Sequence, residues 1–299
     1  MNVVFSFVIP HKNCPELLDR CLNTIPIRED VEIIVVDDNS EEGQTPIISR
    51  KGLRVILLDS SQSNGAGRAR NIGLKYAKGK WVLFADADDC YTDYLPVLLN
   101  KYKDSENVDI VYLNACVFDE YGTESPFKTE KLIFNYLRGG GDAEKKLRYE
   151  LWTPWSRMVK KSILDVNTIL FDELPAGNDV MFGLKSSRYS NNIQVEPHVV
   201  YRYFKPREGS STDYARKQMV DSRLDLKGRL LEFYKDVEYR SSTNLLDVIF
   251  SYYRNGECSV RDAIRKYQEY LKKYNVSLRS DIFFFLKNRW LLFINRNER

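Results

Sequence analysis

The segment Phe84-Ala85-Asp86-Ala87-Asp88-Asp89 places three carboxylates within four positions, directly after the apolar run Trp81 to Phe84. A buried strand that ends in clustered Asp sets hard oxygen ligands at the rim of a sheet, where a divalent cation can bridge protein and phosphate. The competing reading is an acidic turn in which Asp89 or Asp93 caps the next helix. The surrounding sequence decides between them. Val3 to Ile9, closed by Pro10, and Val31 to Val36, closed by Asp37-Asp38-Asn39-Ser40, read as strands buried on both faces. Val55 to Leu58 reads as a third strand and Trp81 to Phe84 as a fourth.

Helical patterns separate these runs. Pro15 opens one, with Leu17, Leu18, Cys21, Leu22 and Ile25 at helical spacing. Gly67 to Ala77 holds Ala69, Ile72, Gly73, Tyr76 and Ala77 on one face, with Gly79 as the expected stop. Alternating strands and helices predict an α/β fold, a mostly parallel sheet covered on both sides. Ligands of such sheets lie at the carboxyl ends of the strands, where both Asp clusters fall. Beyond Asp93, Tyr94 to Tyr102 reads as helix, Val108 to Val117 as extended chain, and Gly139-Gly140-Gly141 as a turn. From Tyr214 the pattern is helical, so the boundary is placed near Ser210 to Tyr214, giving domains 1–212 and 213–299.

Composition narrows the function classes. With 43% hydrophobic residues, 299 positions can bury a real core. From Ser211 onward there are 18 Lys+Arg and 12 Asp+Glu, so the C-terminal part is basic and the first 210 residues are slightly acidic. That surplus suits an anionic membrane surface better than a nucleic-acid groove, with a solvated helical face as the plain alternative. Five Cys without a CxxC and only two His leave little material for a zinc site or a Ser/His/Asp triad. No signal peptide and no run of about 18 apolar residues is read, so the expected location is cytoplasmic.

In order, Ser6-Phe7-Val8-Ile9-Pro10, Val35 to Ser40, Gly67-Arg68-Ala69-Arg70-Asn71-Ile72-Gly73, Phe84 to Asp89, and Gly177-Asn178-Asp179-Val180-Met181-Phe182 resemble the motifs of family-2 glycosyltransferases of GT-A fold. The resemblance covers roughly the first 210 residues. A Rossmann dehydrogenase would show GxGxxG after its first strand, where this chain reads Pro10-His11-Lys12-Asn13. A nucleotidyltransferase would need a Gly-rich basic loop at the same place. A degenerate sugar-nucleotide binding module is the non-enzyme alternative.

The resemblance implies roles. Asp38 accepts a hydrogen bond from the nucleotide base, or else makes an Asx turn after its strand, Asp37 supports it, and Pro10 begins the loop under the base. Lys12 stands where many relatives carry a stacking aromatic. Arg68 and Arg70 border the nucleotide, Arg70 being the chosen contact, with a surface helix cation as the alternative for each. Asp86 and Asp88 form the DxD motif, Asp88 for Mn²⁺ or Mg²⁺ and Asp86 for the ribose or the ion through water. Asp179 is the base for the acceptor hydroxyl in an inverting transfer, or else part of a helix cap, and Asn178 replaces the usual Glu. Trp152 or Trp155 lines the acceptor side, with ordinary core packing as the alternative for each, in a segment where Arg157 stands for a frequent Lys. Tyr201 to Ser211 is the expected closing loop, with Arg207 on donor phosphate.

The implied reaction moves a sugar from a nucleotide-sugar, a UDP-sugar being expected, to a saccharide or lipid-linked saccharide in cell-surface polysaccharide or capsule synthesis. Asp281 to Arg296 carries two apolar blocks around a basic centre, read either as a helix lying in the membrane interface or as one packed on protein or on a second subunit. Leu286 occupies the Gln position of the QxxRW signature of processive synthases, so addition of one or a few sugars is expected.

Overall fold

The computed structural model describes residues 2–119, 122–174, 177–204 and 220–297, with side chains as far as residue 289. The chain divides into two units, Met1–Pro206 and Arg207–Arg299. The first begins β1 (Phe5–His11), α1 (Pro15–Asn23), β2 (Val31–Asp37), β3 (Leu53–Leu57), α2 (Gly65–Tyr76) and β4 (Trp81–Phe84). These strands form the parallel block β3-β2-β1-β4. Register explains why the strand ends converge: His11 lies opposite Asp37, and Val8 opposite Phe84, so both Asp clusters emerge on one rim.

Alternation sends side chains to opposite faces, and both faces are covered, which is why the strands read as continuous apolar runs. Phe7, Ile9, Ile33, Val35 and Leu83 pack with Leu18, Cys21 and Leu22 of α1. Val8, Ile34, Val36, Val82 and Phe84 pack with Ala69 and Leu74 of α2. Gly79 is not the stop of α2, whose C-cap is the extended Ala77. A Cβ at Gly79 would lie 2.7 Å from the Ser6 nitrogen, so glycine is needed there for a close approach of backbone to β1.

The second half of the sheet is mixed. It follows β5 (Cys90–Tyr91), α3 (Leu95–Tyr102), β6 (Ile110–Phe118), β7 (Glu124–Pro126), α4 (Lys128–Arg138), α5 (Ala143–Glu150), a 3₁₀ turn at Pro154–Ser156, β8 (Arg157–Lys160), α6 (Lys161–Val166), α7 (Val180–Tyr189) and β9 (Ile193–Phe204). β8 lies antiparallel between β4 and β6, and β9 runs parallel to β6. Gly139, Gly140 and Gly141 all have positive φ and make the turn between α4 and α5. Tyr201 to Phe204, expected in a loop, form the end of β9; residues 205–211 of that segment, Arg207 included, lie outside the described residues.

The second unit contains α8 (Val220–Asp236), α9 (Leu246–Arg254), α10 (Val260–Lys273) and α11 (Leu278–Asn297). Leu224, Leu245, Val248, Ile249, Ala263, Tyr267 and Tyr270 form its core. Asp281, read as part of an interfacial tail, is buried. It accepts the Leu245 and Leu246 N–H groups at 2.8 and 3.0 Å and the Tyr267 hydroxyl at 2.7 Å, capping the start of α9. Arg289 lies over the rings of Phe250 and Phe285, so α11 packs on α9 within this unit, while Phe283 and Leu286 stay exposed. No helix among the described residues is long and apolar enough to cross a membrane.

Candidate active site

At the end of β2 the two acidic residues are held from inside the protein. Asp37 meets His11 Nδ1 at 2.6 Å and accepts the Ser40 N–H at 3.1 Å and the Ser40 hydroxyl at 2.5 Å. Asp38 accepts the N–H groups of Asn64 at 3.1 Å and Gly65 at 3.0 Å, one on each carboxylate oxygen, at the start of α2. An anion is favoured at that helix end. Each Asp38 oxygen keeps a second lone pair for a ligand donor. Lys12, in the position expected under the base, donates to the Asp38 carbonyl at 3.0 Å and braces the turn. Pro10 sits beside it, half-buried in β1.

The turn after β4 is built differently. Asp86 takes Arg70 Nη2 at 2.5 Å, its N–H donates to the Tyr201 hydroxyl, and its carbonyl accepts the Asp89 N–H. Asp88 stands at the surface, and its carbonyl accepts Arg20 from α1. Asp89, expected as a helix cap, is 1% exposed and does other work. It accepts the Tyr201 hydroxyl and the Phe204 N–H, both at 2.8 Å, tying the turn to the end of β9; the N-cap of α3 is Tyr94. Burial, reinforced by the Asp86 and Asp88 carboxylates, pushes the Asp89 carboxyl well above its usual range.

Arg70, a buried side chain of α2, joins this turn to a third acidic segment. Its Nη1 donates to Asn178 Oδ1 at 3.1 Å while Nη2 holds Asp86. Asn178 thus orients the loop through Arg70. Asp179 occupies the N-cap position of α7, yet its side chain makes no capping bond, so the capping alternative fails for its carboxylate. Burial raises the Asp179 carboxyl above its ordinary value, against the charges of Arg70 and Lys128, with Asp86 adding to the rise. Arg68 is drawn elsewhere, to Glu173 at 3.1 Å.

The acceptor-side tryptophans separate. Trp155 is 4% exposed and stacked on Tyr201 and Tyr203, centroids 4.9 and 5.6 Å away; it belongs to the core, which corrects the expectation that it lines a site. Trp152 is half-buried, with Lys128 Nζ 4.1 Å from its ring centre. Arg157 is fully buried and faces no acceptor: it donates to the carbonyls of Leu151, Thr153 and Gly183 and to the Ser186 and Ser187 hydroxyls. A Cβ on Gly183 would lie 2.2 Å from the Trp152 carbonyl oxygen. The Trp152 segment and the helix that starts after Asp179 are therefore one packed piece.

Arg20, Lys128, Tyr201 and the structural role of Arg157 escaped sequence reading. Single residues in ordinary polar or aromatic stretches carry no periodic signal, and their partners lie far away in the chain. For a divalent ion, no cluster of three His, Cys, Asp or Glu side chains forms among the described residues. The turn offers Asp88 at the surface and Asp86 on Arg70, which fits a hard cation carried largely by diphosphate oxygens and water.

The family described as "Glycosyl transferase family 2" matches residues 6–164. The chain is 27% identical over 215 residues to the poly(ribitol-phosphate) beta-N-acetylglucosaminyltransferase TarS of Staphylococcus aureus, covering 69% of this chain and 36% of TarS. It is also 27% identical over 221 residues to a poly(ribitol-phosphate) beta-glucosyltransferase of Bacillus spizizenii, covering 70% and 33%. This chain thus matches about a third of the length of each. The fold resembles that of TarS residues 1–349 in complex with UDP-GlcNAc, with TM-score 0.61, 22% identity and coverage of 77% and 66%. It also resembles the mannosyltransferase PcManGT of Pyrobaculum calidifontis in complex with GDP-Man and Mn²⁺, with TM-score 0.53, 16% identity and coverage of 97% and 88%.

Proposed function

We propose that this chain, which belongs to glycosyl transferase family 2, moves a sugar from a nucleotide-sugar, a UDP-sugar, to a hydroxyl of a saccharide or lipid-linked saccharide during synthesis of a cell-surface glycan. The observation that carries the reading is the Arg70 bridge. One guanidinium fixes the carboxylate turn suited to a diphosphate and, through Asn178, the loop that bears Asp179. That link supports reading the turn as the donor side and Asp179 as the base beside it.

Asp38 and the start of α2 receive the nucleoside. Asp88 would hold Mn²⁺ or Mg²⁺, and the ion would supply charge to offset that of a departing diphosphate. Asp179 takes the acceptor proton as the acceptor oxygen bonds the anomeric carbon and the bond from that carbon to phosphate breaks on the opposite face, which inverts the configuration. A carboxyl raised by burial is a stronger base than an exposed one. The TarS complex with UDP-GlcNAc and the PcManGT complex with Mn²⁺ support donor and metal by likeness.

Residues 1–212 are the proposed catalytic domain and 213–299 an accessory helical region. Exposed Phe283, Leu286 and Lys287 on α11 support peripheral contact with the inner face of a membrane. Liposome flotation unchanged by a double Phe283→Ser, Leu286→Ser variant would remove that part.

The primary test is release of free nucleotide from a panel of nucleotide-sugars with Mn²⁺. Release from one donor, lost in Asp88→Ala and in Asp179→Ala, is expected. Calorimetric donor binding with no turnover, unaffected by Asp179→Ala, would instead make the chain a binding module, the reading that Asn178 in place of Glu favours.

A further inference from the structure

We propose that Lys128 and Trp152 form an acceptor subsite for a phosphate ester beside the reacting hydroxyl. The proposal rests on the glycosyltransferase reading and specifies its acceptor.

Lys128 is the first residue of α4, and its ammonium is placed rather than splayed. Nζ lies 4.1 Å from the Trp152 ring centre and donates to the Glu150 carbonyl at 3.3 Å. A cation over an indole face is held there electrostatically. Lys51, Lys80, Lys101 and Lys161 are matched by carboxylates at 2.9 Å or less; Lys128, like Lys75, Lys78 and Lys131, forms no salt bridge among the described residues, and it differs from those in lying over an indole ring. Its charge is therefore still available to an anion.

Position makes that anion an acceptor group. The Trp152 carbonyl is packed against Gly183 in the helix that begins just after Asp179, so ammonium, indole and base belong to one rigid piece. The charges acting on Lys128 are those of Asp179, Arg157 and Glu150. The donor diphosphate is assigned to the Asp86–Asp88 turn, beyond Arg70. An ammonium on an exposed helix start presents donors to phosphate oxygens as a point charge. The indole beside it covers the apolar face of a sugar or polyol. A phosphodiester within a polyol-phosphate polymer and the pyrophosphate of a lipid-linked sugar present the same chemistry.

The test is titration calorimetry on the full chain loaded with nucleoside diphosphate. Three ligands are compared: a short polyol-phosphate oligomer, a short-chain prenyl-pyrophosphate-linked sugar, and an uncharged polyol of matched length. One phosphate ligand should bind about ten-fold or more tighter than the uncharged one. Lys128→Gln should erase that advantage and Lys128→Arg should keep most of it. The phosphate ligand that wins identifies the source. Absence of any phosphate advantage in the wild type, or an advantage that survives in Lys128→Gln, overturns the proposal. Nucleotide release, measured separately with Asp179→Ala, reports on the glycosyltransferase reading independently of these affinities.

Discussion

The clusters at the ends of β2 and β4 share a residue type and a rim of the sheet, yet they divide differently between interior and surface. Asp37 and Asp38 are both buried and both spent on protein donors: a histidine, a serine and two helix N–H groups. After β4, Asp89 is buried and tied to β9, Asp86 is tied to Arg70, and Asp88 faces outward. The first cluster is held on protein donors inside the rim, and the second brings one carboxylate, that of Asp88, to the surface. The same residue type is thus drawn wholly inside at one strand end and divided between interior and surface at the other.

The contrast breaks most sharply at Asp88. Asp88→Asn should lower transfer on the order of 10³-fold, the scale seen when a group stabilising transition-state charge is lost, with thermal unfolding almost unmoved. An equal loss of thermal stability would place Asp88 in the scaffold and erase the distinction. Asp37→Ala should act in the opposite sense. It strands the buried His11 ring nitrogen and takes the acceptor from the half-buried Ser40 N–H, and should cost about 3 kcal/mol in urea unfolding.

Asp38→Asn tests whether the cradle also touches ligand. An amide turns a donor toward one of the two helix N–H groups, so the donor KM should rise about ten-fold with kcat little changed. The smallest effect concerns Asp179, whose carboxyl is raised by burial. The base acts as carboxylate, so kcat/KM rises with pH through its pKa, and the acid limb should lie above the usual Asp value of about 3.9. Lys128 opposes the rise, so Lys128→Gln should move that limb further up by a few tenths of a unit, reducing activity first at low pH.

Sequence patterning was enough for elements whose evidence is local. The apolar runs of β1, β2 and β4, the helical spacing of α2 and the acidic strand ends are visible within a dozen residues each. Residues whose role depends on a distant partner were not. Asp89 has a capper's position after a strand, but its partners Tyr201 and Phe204 lie 112 and 115 positions away. Trp152 and Trp155 are indistinguishable as letters, and only the stacking of Trp155 on β9 sends it inward. Arg157 reads as a polar site residue because a fully buried guanidinium satisfied by carbonyls and hydroxyls leaves no sequence pattern. Short strands such as β5 and β8 are made by their neighbours in the sheet more than by their own propensity.

Helix α2 touches the β2 cradle at its first residue and, through Arg70, the β4 turn five residues later. It therefore works as a ruler. At 1.5 Å per residue the two marks are about 7.5 Å apart along its axis, and the angle between them is set by the helical repeat. Inserting a single residue between Gly65 and Arg70 would swing the guanidinium by about 100° and detach it from Asp86 and Asn178 together. The spacing of those five positions is thus under tighter constraint than most of the side chains between them.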